Sequence, residues 1–263
     1  MEAYKKRKRQ HILLILILVG SFAWSIFSIP KNENLLHAGG LELIKKIFMS
    51  MTDIKVNKET LTVTIKALWI TLVYASASMG ISIIIGLVFG LLSSNLFFNG
   101  PVGTSIKVFF RGFIGFLRGI HELIWAWLFV AAIGLTPFAG IFALAIPYGG
   151  LLAINYCNNF NSIDKRVMNH LTRSGASKTQ AVLYGCLPKA FSEMVSFTLT
   201  NFECCIRSST IMSFVGLGGI GYQIQIALRD MRFELVWMNV IALIILVSVI
   251  DLWSNEFRKR IAI

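Results

Sequence analysis

Glu203 and Arg207 stand four residues apart, a spacing that puts both on one face of a helix. There a carboxylate and a guanidinium can neutralise each other. In an apolar helix the need is acute, because a charge at membrane depth is costly and turns toward water or the packed interior. Three readings stay open: Arg207 helps an anion along a passage, the pair trades partners between two states, or a static ion pair fixes helix packing. His121 and Glu122, at the start of another apolar run, are candidates by the same logic, or are simply solvated at interface depth. The glycines at Gly216, Gly218, Gly219 and Gly221 look at first like a dinucleotide fingerprint. That fingerprint must follow a strand and open a helix, whereas this run follows an apolar helical stretch. Close helix approach, a bend that forms part of a gate, or a helix C-cap are the readings left. Cys157, Cys186, Cys204 and Cys205 lack CxxC spacing, and the adjacent pair points to different helix faces, so no metal or disulfide role is expected. No nucleophile–base set, HExxH or P-loop occurs, so the chain shows no engine of its own for hydrolysing ATP.

The elements that must position these residues follow from composition. Of 263 residues, 56% are apolar and 14% charged, against about 25% charged in an average soluble domain. With a mean hydropathy of +0.70, a sphere this size has too little interior for its apolar side chains. Disordered, collagen-like and disulfide-stapled classes fall away on the same figures. The balance of 25 Lys+Arg against 13 Asp+Glu is basic, yet charge this sparse fits a membrane protein better than a nucleic-acid binder. The expected class is all-α and polytopic.

About 20 mostly apolar residues cross the hydrocarbon core, and six runs meet that length approximately: His11–Ile29, Leu61–Leu92, Ile120–Ile133, Phe138–Asn155, Ala190–Leu217 and Leu235–Trp253. The first follows Lys5–Arg9 and is too long for a usual signal peptide, so it reads as a retained helix. Pro30, Pro101 and Pro137 mark connections, Pro188 opens the fifth span, and only Pro147 lies inside one. Trp24, Trp69, Trp237 and Trp253 fall near span ends, as interfacial anchors do. Leu41–Met51 and Ser105–Leu117 read as short amphipathic helices at the surface. Placing both termini in the cytoplasm puts 16 of the 25 basic residues on that side. The outer segment after span one balances Lys31, Lys45, Lys46, Lys55 and Lys58 against Glu33, Glu42, Asp53 and Glu59. No internal repeat with paired broken spans is visible, which argues against an inverted-repeat transporter.

The cytoplasmic stretch 161–189 is hydrophilic and long for this chain. It reads as helix (Val167–Arg173), turn (Ser174, Gly175, Ala176, Ser177), helix (Lys178–Tyr184) and Pro stop. Ser177 suits an N-cap and Gly175 a sharp turn. A basic, ordered loop is either a docking surface or a solvated positive-inside loop.

Leu171–Pro188, LTRSGASKTQAVLYGCLP, resembles the EAA loop of ABC-importer permeases, with Gly175 in the place of the family's Gly and Leu187-Pro188 in that of its Leu-Pro. Asn169 and His170 stand where the family places Glu and Ala. Phe202-Glu203, Arg207-Ser208 and Val215–Gly221 are similar to the fifth-span signature of phosphonate-type permeases. Arg118–Phe138 resembles the third span, with His121 replacing a common Pro, and Asp251-Leu252-Trp253-Ser254 with the basic tail resembles the last. The resemblance runs from about residue 64 onward. It implies a type I ABC importer (MetI-like) transmembrane domain of six helices: 1–63 as an N-terminal helix plus outer segment, 64–257 as the domain proper, and 258–263 as a cytoplasmic tail. It also implies a permease for phosphonate or a related phosphorus oxyanion, with two copies of a separate ATPase docked at Asn169, His170, Leu171, Ser174, Gly175, Ala176, Ser177, Leu187 and Pro188. ATP–Mg would sit on that ATPase and no cofactor on this chain. A second copy of the permease and an extracytoplasmic binding protein complete the set. Permeases for phosphite, phosphate or methionine, and a gradient-driven secondary transporter, are the alternatives.

Overall fold

The computed structural model describes residues 2–28, 39–53, 57–96 and 100–261. Pro30, Lys31, Glu33 and Lys55, named above, lie outside the described residues. All regular structure among them is helical. The chain divides into two units, 1–49 and 50–263. The first holds α1 (Glu2–Phe27) and α2 (Gly40–Met49). Arg9–Phe27 is long and apolar enough to cross a membrane, and α2 is the expected short amphipathic helix.

The second unit carries α3 (Lys58–Ser93), α4 (Gly100–Gly119), α5 (Glu122–Ile133), α6 (Pro137–Ser162), α7 (Lys165–Arg173), α8 (Lys178–Ala181), α9 (Leu187–Met212), α10 (Ile220–Arg229) and α11 (Phe233–Ile261). Its centre is the packing of α3 on α6. Ala67, Thr71, Ala75, Ser78, Ser82, Gly86, Gly90 and Ser93 recur every three or four residues and are buried as a stripe of small side chains along α3. Lipid supplies no hydrophobic force to join two membrane helices, so small residues that let backbones approach do so instead. At Gly86 the approach is absolute: a Cβ would stand 2.7 Å from the Cβ of Leu152 on α6. Ser82 Oγ also donates to the Ala145 carbonyl, 3.0 Å away. Pro137 starts α6, where its missing N–H is harmless, and the helix continues through Pro147.

The spans expected at residues 61–92, 138–155 and 235–253 correspond to α3, α6 and α11, each longer than expected. The expectation of six spans needs correction. Residues 120–133 do not make a straight span: α5 has only 12 residues, and α4 meets it at 85° across the break at Ile120 and His121. Four helices are long and apolar enough to cross, or five if this bent pair counts as one. Helix α9, at 26 residues, has the length but is too polar to meet the same test. The expected limits at 63/64 and 257/258 fall inside helices. A limit at 63/64 cuts α3, and Arg258–Arg260 belong to α11, which contains no breaker and is supported by Glu256–Arg260 at 3.7 Å.

Helix α10 was not foreseen. It packs against α11 and α3, burying Ile220 and Ile224 beside Ala67.

Candidate coupling loop and pathway residues

Asp164 caps α7 by accepting from the Arg166 N–H at 2.9 Å. The helix ends in a Schellman turn: Ala176 N–H donates to Leu171 O at 3.1 Å and Gly175 N–H to Thr172 O at 3.2 Å. Gly175 holds φ +90°, a backbone state that side chains with a Cβ resist. Ser177 then caps α8 as half of a capping box. Its Oγ accepts from Gln180 N–H at 3.3 Å, and its own N–H donates to Gln180 Oε1 at 2.9 Å. The expected helix–turn–helix is therefore present.

The Pro stop is not. Val182–Cys186 forms a π turn that carries the helical path directly into α9, with Pro188 in the first turn of that helix. Pro188 has no N–H to give the carbonyl four residues back, and it falls where the π turn passes into α9, so it opens that helix, as expected, without ending the helical path. Inside the loop, a Cβ on Gly185 would lie 2.4 Å from Leu171 Cδ1 and 3.3 Å from Val167 Cγ1, so α7 sits directly on the π turn. Cys186 is buried against Met168, Sγ to Sδ 4.0 Å. Burial pushes its thiol pKa up, an effect partly opposed by Lys189. Asn159 Nδ2 donates to Ala190 O at 3.1 Å and ties α6 to the start of α9.

Outward, Asn169, His170, Ser174, Gly175, Ser177 and Pro188 are exposed, while Leu171, Ala176 and Leu187 are half-buried. Leu183 and Tyr184, 51% and 78% exposed on the π turn, were missed by sequence reasoning. Helical periodicity does not mark a π turn, so nothing in the sequence singled them out. Beside the loop lies a cleft of about 620 Å³ lined by Asn95, Lys107, Asn161, Asp164, Asn169 and Lys178. Lys107 Nζ donates to Asn95 Oδ1 at 2.8 Å, and Asn95 N–H to Asn161 Oδ1 at 2.8 Å.

The expected Glu203–Arg207 pair does not form. Glu203 instead pairs with Arg258 of α11. Arg258 also donates to Ser254 Oγ at 2.8 Å. The reason is the length of α11, which brings residue 258 alongside α9. Arg207 is exposed and donates to Cys204 Sγ at 3.3 Å.

A second polar centre unites residues far apart in sequence. Ser208 Oγ donates to Glu122 Oε1 at 2.7 Å, and Tyr148 OH lies 2.9 Å from the same hydroxyl. Tyr148, one residue after Pro147, carried no sequence signal. His121 caps α5, its Nδ1 accepting from Leu123 N–H at 3.3 Å, and stands 3.7 Å from Glu122 Oε2.

The glycine run is a connector. After a 3₁₀ turn at Ser213–Val215, Gly216, Gly218 and Gly219 all take positive φ, and α10 begins at Ile220. Ile220 N–H donates to Thr71 Oγ1 at 3.0 Å and Tyr74 OH to Leu217 O at 2.9 Å, so the turn is held on α3. Gly221 lies against the Thr210 carbonyl, 2.1 Å from where a Cβ would be. Among the described residues no group of three His, Cys, Asp or Glu side chains could hold a metal.

This is the fold of an ABC-importer membrane subunit. It matches the methionine ABC transporter MetNI, solved in inward-facing conformations, with a TM-score of 0.68 at 18% identity over 78% of this chain and 99% of that one. An amino acid ABC transporter crystallised with histidines gives 0.64 at 19% identity, over the same shares. Residues 82–263 match the binding-protein-dependent transport system inner membrane components, and the chain belongs to that family. It is 26% identical over 190 residues to the phosphite transport system permease protein PtxC of Stutzerimonas stutzeri, covering 72% of this chain and 68% of that protein. Identity to the phosphate-import permease protein PhnE of Mycolicibacterium smegmatis is 34% over 151 residues, covering 57% of this chain but only 28% of that protein. PhnE2 of Escherichia coli K12, named for a cryptic phosphonate transport system, is 31% identical over 118 residues, covering 45% of this chain and 97% of that protein. The chain is thus a multi-pass membrane permease subunit rather than an enzyme. In this family ATP hydrolysis belongs to a separate subunit, and a binding protein completes the system.

Proposed function

We propose that this chain is the permease subunit of an importer for a phosphorus oxyanion, with phosphonate the first candidate and phosphite and phosphate next. The observation that carries the coupling part is the loop: a Schellman turn at Gly175, a capped α8, and a π turn leading without interruption into α9. A rigid surface hairpin continuous with a membrane-length helix can pass a partner's motion inward. Two ATPase subunits, each carrying ATP–Mg, dock on residues 161–189 of two permease copies, with Leu183 and Tyr184 adding apolar contact. The concentration of Lys and Arg in the loop and at both ends supports termini in the cytoplasm. No cofactor is assigned to this chain. The substrate class rests on the names of the relatives.

The test is uptake of methylphosphonate, phosphite and phosphate by cells or proteoliposomes holding the chain with its ATPase and binding protein. Uptake is expected only with all components and ATP, and Gly175→Val should abolish it while leaving membrane insertion intact. Uptake by this chain alone would overturn the ABC reading. Normal uptake by the Gly175→Val protein would overturn the coupling assignment.

A further inference from the structure

Helix α9 departs from its neighbours in what it shows to the outside. The outward residues of α11 include Ile244, Ile245, Val249 and Leu252, which suit lipid. Along α9, Glu193, Thr200 and Arg207 are exposed at intervals of seven on one face, a polar stripe that ends at the exposed Ile211, while Phe191 is exposed on the opposite face. Glu193 and Arg207 are about 21 Å apart along the helix axis, less than the roughly 30 Å hydrocarbon core. Helix α9 has the length to cross that core but is too polar to do so against lipid all round, and a crossing would keep at least one of the two within it. Such residues face water or a protein partner, not lipid.

Among the described residues Arg207 has no partner that cancels its charge. Glu203, four residues away, is engaged by Arg258. Among the described residues Arg207 forms no ion pair, and its recorded hydrogen bond is to the neutral sulfur of Cys204. We propose that the Glu193–Thr200–Arg207 stripe lines the aqueous passage and that Arg207 is its anion-attracting residue. This rests on the permease reading above. Two copies related by an axis along the membrane normal run their α9 helices in the same direction, so the two Arg207 side chains lie level with each other. Like charges brought level repel, and a dianion between them converts that repulsion into binding. Thr200 offers a neutral hydroxyl one stretch further along, and Glu193 reverses the sign of the wall beyond it.

The test uses charged thiol reagents on the full-length permease in membranes, assembled with its ATPase. A Thr200→Cys change is made with Cys204→Ser, which removes the partly exposed native thiol beside the stripe; Cys157, Cys186 and Cys205 are buried. Sulfonatoethyl and trimethylammonioethyl methanethiosulfonate label the new thiol, with rates normalised to a free thiol. The anionic reagent is expected to be favoured about tenfold, with Arg207→Lys retaining the preference and Arg207→Gln removing it. Val249→Cys on α11 serves as the lipid-facing control and stays unlabelled. The stripe assignment is overturned if Thr200→Cys is as unreactive as that control, or if the preference survives Arg207→Gln. Uptake of the phosphorus oxyanions is followed in parallel. Labelling preference without uptake by the partnered system defeats the cargo reading and leaves the stripe standing, whereas uptake with an unlabelled Thr200→Cys protein defeats the stripe alone.

Discussion

The two ends of α9 are built for opposite purposes from the same residue type. At the loop end a π turn leads into the helix, and Gly185 lets the side chain of Leu171 rest on it. That end is also held by side chains, Asn159 Nδ2 donating to Ala190 O and Ser192 Oγ to Ile261 O, each at 3.1 Å, but no positive-φ connector fixes its backbone to a neighbouring helix among the described residues. At the far end the helix leaves through a 3₁₀ turn and three positive-φ glycines, with hydrogen bonds from Ile220 to Thr71 and from Tyr74 to Leu217 holding the connector on α3. A rod anchored at one end and joined to a surface hairpin at the other turns displacement of the hairpin into tilt. Glycine serves close packing against a movable side chain at one end and fixed backbone geometry at the other.

The largest effect is expected at the anchored end. A Cβ on Gly221 would meet the Thr210 carbonyl at 2.1 Å, and a backbone oxygen inside a helix has nowhere to go. Gly221→Val should cost about 3 kcal/mol or more, seen as loss of monodisperse protein in detergent and a lowered thermal midpoint. A variant as stable as the parent would remove the anchor from the comparison.

At the loop end the same type of substitution meets a flexible tip. Gly185→Val pushes on Leu171 Cδ1, which can shift, so the cost should be about 1–3 kcal/mol and confined to the loop. The protein should insert and purify normally but lose partner-driven uptake, and adding Leu171→Ala should recover part of it. Normal uptake by the single variant would show that α7 need not seat on the π turn.

Between the ends, Glu203 and Arg258 tie α9 to α11. Their side chains are 13% and 26% exposed, so removing one charge should cost less than the 3–5 kcal/mol of a fully buried pair, about 2 kcal/mol. Glu203→Gln should lower the thermal midpoint, and the exchange Glu203→Arg with Arg258→Glu should restore much of it. If the exchange is no better than the single change, the pair does not couple the helices.

How much of this could be read beforehand depends on range. The Gly175 turn and the Ser177 cap are local: one needs a positive φ, the other a side-chain acceptor three residues ahead of an N–H, and both are visible in a few letters. The long apolar helices were legible for the same reason. Glu203 was assigned the wrong partner because helical periodicity reports only neighbours on the same helix, whereas Arg258 is 55 residues away in sequence. Tyr148 joins Glu122 and Ser208 through tertiary packing alone. Helix α10 was hidden by the glycines before it, which read as an end when they were also a beginning. A surface helix at 105–117 followed by a span from residue 120 was legible, but the 85° between them was not, because periodicity carries no angle between helices.

The smallest expected effect tests the loop end without altering it. Cys186 lies in the π turn, 1% exposed, with its thiol pKa pushed above the ordinary value chiefly by burial. Thiolate is the reactive form, so two factors hold labelling down: little access, and little thiolate at neutral pH. Raising the pH to about 9, where a free thiol is largely ionised, should therefore accelerate labelling of Cys186 by much less than it accelerates a model thiol. Gly185→Val should narrow that gap if it lifts α7 away, because both exposure and thiolate fraction then rise together. Gly218→Ala, at the anchored end, adds a Cβ to open space at the cost of a positive φ only, and should not change the gap. Mass-spectrometric labelling at neutral and alkaline pH reads all three proteins. Equal acceleration of Cys186 in the two variants would mean the ends of α9 are not mechanically distinct.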